Sequence, residues 1–353
     1  MDGYDPFIRG PFPVGVRTFR ARDTARDRLF PCEVWYPASA RHMGQDISPA
    51  TQDVFTIRDA PRTHMAVRDA TAQSGRYPLI IYSHPSTFHR RAATFLCTHL
   101  SSHGYVVAGL DHSEVVAQLG PRQIETAEEK AALFEAVLAS RVPDVRFLLE
   151  ELLSNPVLEA ETAIDPSQIG IVGHSLGGWT ALAAPDVERR IRAVVALAPG
   201  GASNPRPGIL PAKLHFAWGR DVPTLYLVAE NDVPLPLAGM YELYERTPAT
   251  KQMVILRRAD HAHFMDNVEE LHESFRTMPV TGDLVQFQIE TRPIAELCSG
   301  ERAHLFTSGL TLSHMDATLR GQADAHRFMS GDLKAELAAR GVDVIVHPLR
   351  DGS

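Results

Sequence analysis

The sequence has little cysteine, little lysine and no long apolar run. Cys32, Cys97 and Cys298 are three cysteines in 353 residues. An odd number at wide, irregular spacing is not a disulfide framework, and without a C-x-x-C pair neither zinc nor redox use of cysteine is expected. The stretch Met1–Pro6 has no basic region and no apolar core of a secretory signal. The expected setting is therefore a reducing one, the cytoplasm. No run approaches the roughly 18 apolar residues of a spanning helix. Lysine occurs only at 130, 213, 251 and 334, and there is no Lys/Arg-rich block, Arg189-Arg190 and Arg257-Arg258 being isolated pairs. With 43 acidic against 35 basic residues the net charge is −8. That balance argues against a nucleic-acid partner, which would demand a basic patch.

What is present reads as an ordinary globular chain, 44% apolar and 22% charged. At about 150 residues per domain the length suggests two domains, and it is ample for a core that needs no metal or disulfide. Val14–Phe19 and Cys32–Tyr36 alternate like two antiparallel strands around the charged turn 22–28. Residues 40–76 are polar and uneven, the pattern of a long surface excursion. Short, unalternating apolar runs follow at 77–83, 105–110, 169–172, 191–197, 224–228 and 252–256, as expected of strands buried on both faces. Between them, 90–102 and 127–153 carry apolar residues at helical spacing. Strands alternating with helices predict a doubly wound α/β fold: a mostly parallel central sheet, helices on both faces and N-terminal antiparallel strands. Segments 199–222 and 277–305 break the rhythm. Helices are expected at 307–320 and 330–340, ending at Gly321 and Gly341.

The most informative stretch is Ile169-Gly170-Ile171-Val172-Gly173-His174-Ser175-Leu176-Gly177-Gly178. A buried strand runs into G-x-S-x-G and then a helix, which is the context a nucleophile elbow needs. Side chains at 173 and 177 would collide with the neighbouring strand or helix, and the helix beginning at Leu176 aims its N–H groups at the reacting centre. A serine hydroxyl needs a base and a group that orients the base. With such an elbow the partners follow in the order acid, then histidine. Asp232 stands just past the strand 224–228, with Glu230 as the competing acid. His261 is the expected base, first in the loop beyond the strand 252–256, with His263 as its competitor and Phe264 packed beneath. The His261/His263 pair lacks further ligands at metal spacing, so no metal and no cofactor are expected. After the strand 77–83, Ser83-His84-Pro85-Ser86 offers a backbone donor. Pro85 has no N–H, so Ser86 pairs with Leu176 as the expected oxyanion hole. His84 is expected to brace the loop. Thr87, Phe88, His174 and Phe264 are the expected pocket residues.

On these residues, with Leu100–His112, Arg141–Phe147 and His261-Ala262-His263-Phe264, the chain resembles α/β-hydrolase superfamily serine esterases. Within them it resembles the dienelactone-hydrolase-like and platelet-activating-factor acetylhydrolase-like enzymes. The resemblance implies Ser175 as nucleophile, Asp232 as acid, His261 as base and Ser86 and Leu176 as oxyanion donors. Pro85 departs from it, since the acetylhydrolase-like pattern has glycine there. It also implies one domain over 1–353, with a core at 77–272 and 306–345. The insertions 199–222 and 277–305 are candidate lids. The expected activity is hydrolysis of a small-molecule carboxylic ester through an acyl-enzyme. An amidase, carbamate hydrolase or acyltransferase would use the same triad. A non-catalytic binding protein would lack a triad member, and all are present.

Overall fold

Each unalternating apolar run in the sequence forms a buried strand. A computed structural model describes residues 3–57, 60–117, 126–159 and 161–351; Met1 and Asp2 of the N-terminal reading lie outside them. The chain divides into two units, Ile8–Ile171 and Val172–Ser353 with Met1–Phe7.

The first unit contains β1 (Val14–Asp23), β2 (Arg28–Pro37), β3 (Asp53–Ile57), β4 (Ala60–His64), β5 (Val67–Arg68), β6 (Gly75–Ser83), α1 (Thr94–Ser102), β7 (Val106–Leu110), α2 (Ser113–Val116) and α3 (Ala127–Ser154). It ends within β8 (Thr162–His174), the strand that carries the chain into the second unit. β1 and β2 pair antiparallel from Val14↔Pro37 to Asp23↔Arg28. Their turn is tighter than 22–28, because Asp23 accepts the N–H groups of Ala25 and Arg26 at 3.0 and 3.1 Å. β2 runs antiparallel to β7, and β7 parallel to β6, giving the order β6-β7-β2-β1-β5.

Residues 40–76 are not an irregular excursion. β3 and β4 form an antiparallel hairpin, and β5 lies parallel to β1. The pattern was hidden because charge helps hold this region together. Asp53 is buried, 2.9 Å from His64 Nε2, and accepts from Arg68 Nε at 2.8 Å. Phe55 is the hairpin's buried apolar side chain. α3 opens on a capping box in which Thr126 and Glu129 each accept the other's N–H at 3.1 Å.

The second unit contains α4 (Leu176–Ala183), β9 (Ile191–Leu197), β10 (Thr224–Ala229), α5 (Leu237–Arg246), β11 (Lys251–Leu256), α6 (Val268–Thr277), α7 (Asp283–Glu290), α8 (Gly300–Thr318), α9 (Ala323–Ser330), α10 (Leu333–Ala338) and β12 (Val344–Arg350). β9, β10 and β11 are parallel, and β12 closes on β11 antiparallel. The helix expected at 307–320 begins earlier, at Gly300, where Ser299 caps it by accepting from Arg302 N–H. Gly309 lets Phe7 pack on α8; a Cβ there would overlap the Phe7 ring. The helix expected at 330–340 is the shorter α10, with α9 before it. Segment 199–222 holds no helix or strand but buries Trp218, whose indole N–H donates to Leu182 O at 3.2 Å. Among the described residues no helix is long and apolar enough to cross a membrane.

Candidate active site

Between Ile169 and Leu182 every residue except Ser175 is buried. Ser175 stands between β8 and α4 at φ 59°, ψ −118°, a conformation that an L-residue adopts only when its surroundings enforce it. Its N–H donates to Leu197 O at 2.9 Å, and its carbonyl accepts from Trp179 N–H at 3.0 Å and Gly200 N–H at 2.9 Å. The turn has no room for side chains. A Cβ at Gly173 would overlap the Gly177 carbonyl, and one at Gly178 would come within 2.8 Å of Pro199 Cα.

Asp232 follows β10 and is buried. Its Oδ1 accepts Leu235 N–H at 2.8 Å, and its Oδ2 lies 2.7 Å from His261 Nδ1. The carboxylate can only accept, so Nδ1 carries the proton and Nε2 is left as a base. Burial pulls the His261 pKa down, but attraction to Asp232 outweighs it and the value is raised. The His261 side chain is 23% exposed, enough to meet a reactant. Behind it sits His174, fully buried, with ring centroids 4.6 Å from His261 and 5.5 Å from buried Phe264. Burial, and then the neighbouring His261, keep His174 neutral.

The competing residues are occupied elsewhere. Glu230 accepts from Arg257 Nε at 3.2 Å and from Arg258 N–H at 2.9 Å. His263 is fully buried, with Nδ1 2.8 Å from Asp260 Oδ1 and Nε2 3.0 Å from Cys298 O.

In the Ile8–Ile171 unit, Ser86 and Thr87 are exposed and Phe88 half-buried on the turn after β6, with Thr87 at φ 60°. His84 is buried beneath this turn. Its Nδ1–H donates to Pro85 O at 2.7 Å and its Nε2 accepts His112 N–H at 2.9 Å. Burial, then His112 and Arg141, hold it neutral. The same unit contains a second Ser-His-Asp relay that sequence reasoning missed. Ser83 Oγ lies 2.8 Å from His112 Nε2, and His112 Nδ1 3.2 Å from Asp144 Oδ2. All three are buried, and Asp144 also holds Ser113 Oγ and Arg26, at 2.7 and 2.6 Å. A nucleophile sealed from solvent meets no substrate, so this relay is a brace. A cavity of about 320 Å³ in this unit is lined by Thr18, Phe55, Arg68 and Arg91, among others, and contains none of the expected site residues.

Set beside a ferulic acid esterase from Streptomyces cinnamoneus, the structure matches with a TM-score of 0.61 at 23% identity, covering 88% of this chain and 91% of that one. The chain has the α/β-hydrolase fold. The chlorophyllase family model matches residues 49–214 of the chain, which include the turn at Ser175. It is 23% identical over 199 residues to cutinase est1 of Thermobifida alba, covering 56% of each chain. It is 23% identical over 230 residues to platelet-activating factor acetylhydrolase of Cavia porcellus, covering 54% of this chain and 49% of the relative. The chain thus spans about half the length of these curated relatives.

Proposed function

We propose that the protein is a serine esterase that hydrolyses a small-molecule carboxylic ester. The carrying observation is the 2.7 Å contact between Asp232 and His261, which leaves Nε2 of an accessible imidazole free to act as base. Ser175, on its strained elbow, is the nucleophile. Its Oγ attacks the ester carbonyl as His261 Nε2 takes the proton, and Asp232 holds the tautomer and stabilises the imidazolium. The N–H of Leu176 at the start of α4 completes the reading as an oxyanion donor. His261 returns the proton to the leaving alcohol, and water activated by the same ring releases the acid from the acyl-enzyme. The ester hydrolases named among the relatives support this substrate class. Three buried cysteines, none in a disulfide, support a cytoplasmic site of action.

The test is a panel of p-nitrophenyl esters of graded chain length beside an amide and a lactone. Wild type is expected to turn over an ester, with Ser175→Ala and His261→Ala each losing at least about 10³-fold in kcat. Turnover retained by Ser175→Ala, or activity on the amide alone, contradicts the proposal.

A further inference from the structure

Asp260, immediately before His261, is a second carboxylate that the proposed mechanism leaves unused. Its Oδ1 accepts Ala262 N–H at 3.0 Å and so caps the short helical turn His261–Phe264 that carries the base. The same oxygen lies 2.8 Å from His263 Nδ1, and Oδ2 lies 2.5 Å from His272 Nδ1 on α6. The opposite ring nitrogens meet backbone carbonyls: His263 Nε2 is 3.0 Å from Cys298 O, and His272 Nε2 is 2.7 Å from Arg292 O.

Carbonyl and carboxylate oxygens only accept. Each imidazole therefore faces an acceptor from both nitrogens, and only the doubly protonated ring donates from both. His263 Nδ1 also lies 3.0 Å from the N–H of Asp260. The carboxylate contact is the shorter and is charge-assisted, so it sets the state of the ring. Burial disfavours both cations, but the bonds to Asp260 outweigh it, carrying His263 up to about 10 and raising His272. All three side chains are buried.

We propose that Asp260, with His263 and His272 as two buried cations, is the positioning unit of the base: it cross-links the turn bearing His261 to α6 and to the backbone at Arg292 and Cys298. The proposal rests on the reading of His261 as base. Asp260 touches no reacting atom. It acts by holding the His261 ring against Asp232, and a misplacement of about 1 Å costs on the order of 10²-fold in rate.

The experiment is ¹⁵N-histidine NMR on the full chain near pH 8, paired with ester kinetics. Two histidines are expected to remain doubly protonated in wild type and to lose that signature in Asp260→Asn. Asp260→Asn is expected to lose about 10²-fold in kcat with KM within about 3-fold, and Asp260→Glu to recover part of the loss. His272→Gln, which keeps one N–H donor, is expected to lose about 10-fold. Histidines that are all singly protonated at that pH, or an Asp260→Asn variant with wild-type kcat, overturn the proposal. The NMR arm is read on unmutated protein and without substrate. An inactive wild type with two buried cations overturns the esterase reading and the positioning role, whereas an active wild type without them overturns the positioning unit alone.

Discussion

At the scale of single residues, Asp232 and His261 make the sharpest claim. His261 must be neutral to take a proton, and its pKa is raised above the ordinary histidine value of about 6.5. Activity is therefore lost as pH falls through the raised value, so the acid limb of kcat/KM should lie above about 6.5. Asp232→Asn removes the attraction and leaves the burial, so the limb moves to lower pH. The ring also loses its enforced tautomer, and kcat should fall by about 10³–10⁴-fold. A pH–rate profile checks both; an unmoved limb would mean that Asp232 does not set the charge of His261. Ser175, Asp232 and His261 could be proposed from the sequence because each follows the C-terminal end of a buried strand, where apolar runs mark the chain. Asp260 and His272 could not, because twelve positions and a helix boundary separate them and no periodicity relates them.

Among the elements, α3 braces the turn after β6. Arg141 is fully buried and donates to His84 O at 2.7 Å and Pro85 O at 3.4 Å, with the Glu114 carboxylate as its counter-ion. Burial lowers its pKa, and Glu114 opposes that. Arg141→Met leaves Glu114 uncompensated and removes the donor to His84 O, while Pro85 O keeps the His84 Nδ1–H. The expected cost is about 3–5 kcal/mol in urea denaturation; a loss under about 1 kcal/mol would show that the turn after β6 stands without this brace. Strands whose apolar side chains are buried on both faces, such as β6, β9 and β10, were legible in the sequence, and so were β1 and β2, which alternate. β3, β4 and β12 were not. The hairpin buries a single apolar side chain and an ion-pair network, and β12 leaves Ile345 and Leu349 exposed and contains Pro348. Such strands carry little period-two hydrophobic signal.

For the whole molecule, motif order along the chain was enough to anticipate the architecture, since strand, elbow, acid and base succeed one another as the fold requires. Distances were not legible: Ser83, His112 and Asp144 also form a Ser-His-Asp relay, and its burial sets that brace apart from Ser175 and His261, which are half-buried. The proposed esterase stands or falls on Ser175 as nucleophile. Its most direct test is intact-mass and peptide mapping after reaction with a fluorophosphonate. One adduct per chain, on the peptide carrying Ser175 and formed much more slowly in Asp232→Asn, is expected. An adduct on Ser83 or Ser86, or ester turnover with no adduct on Ser175, would contradict it.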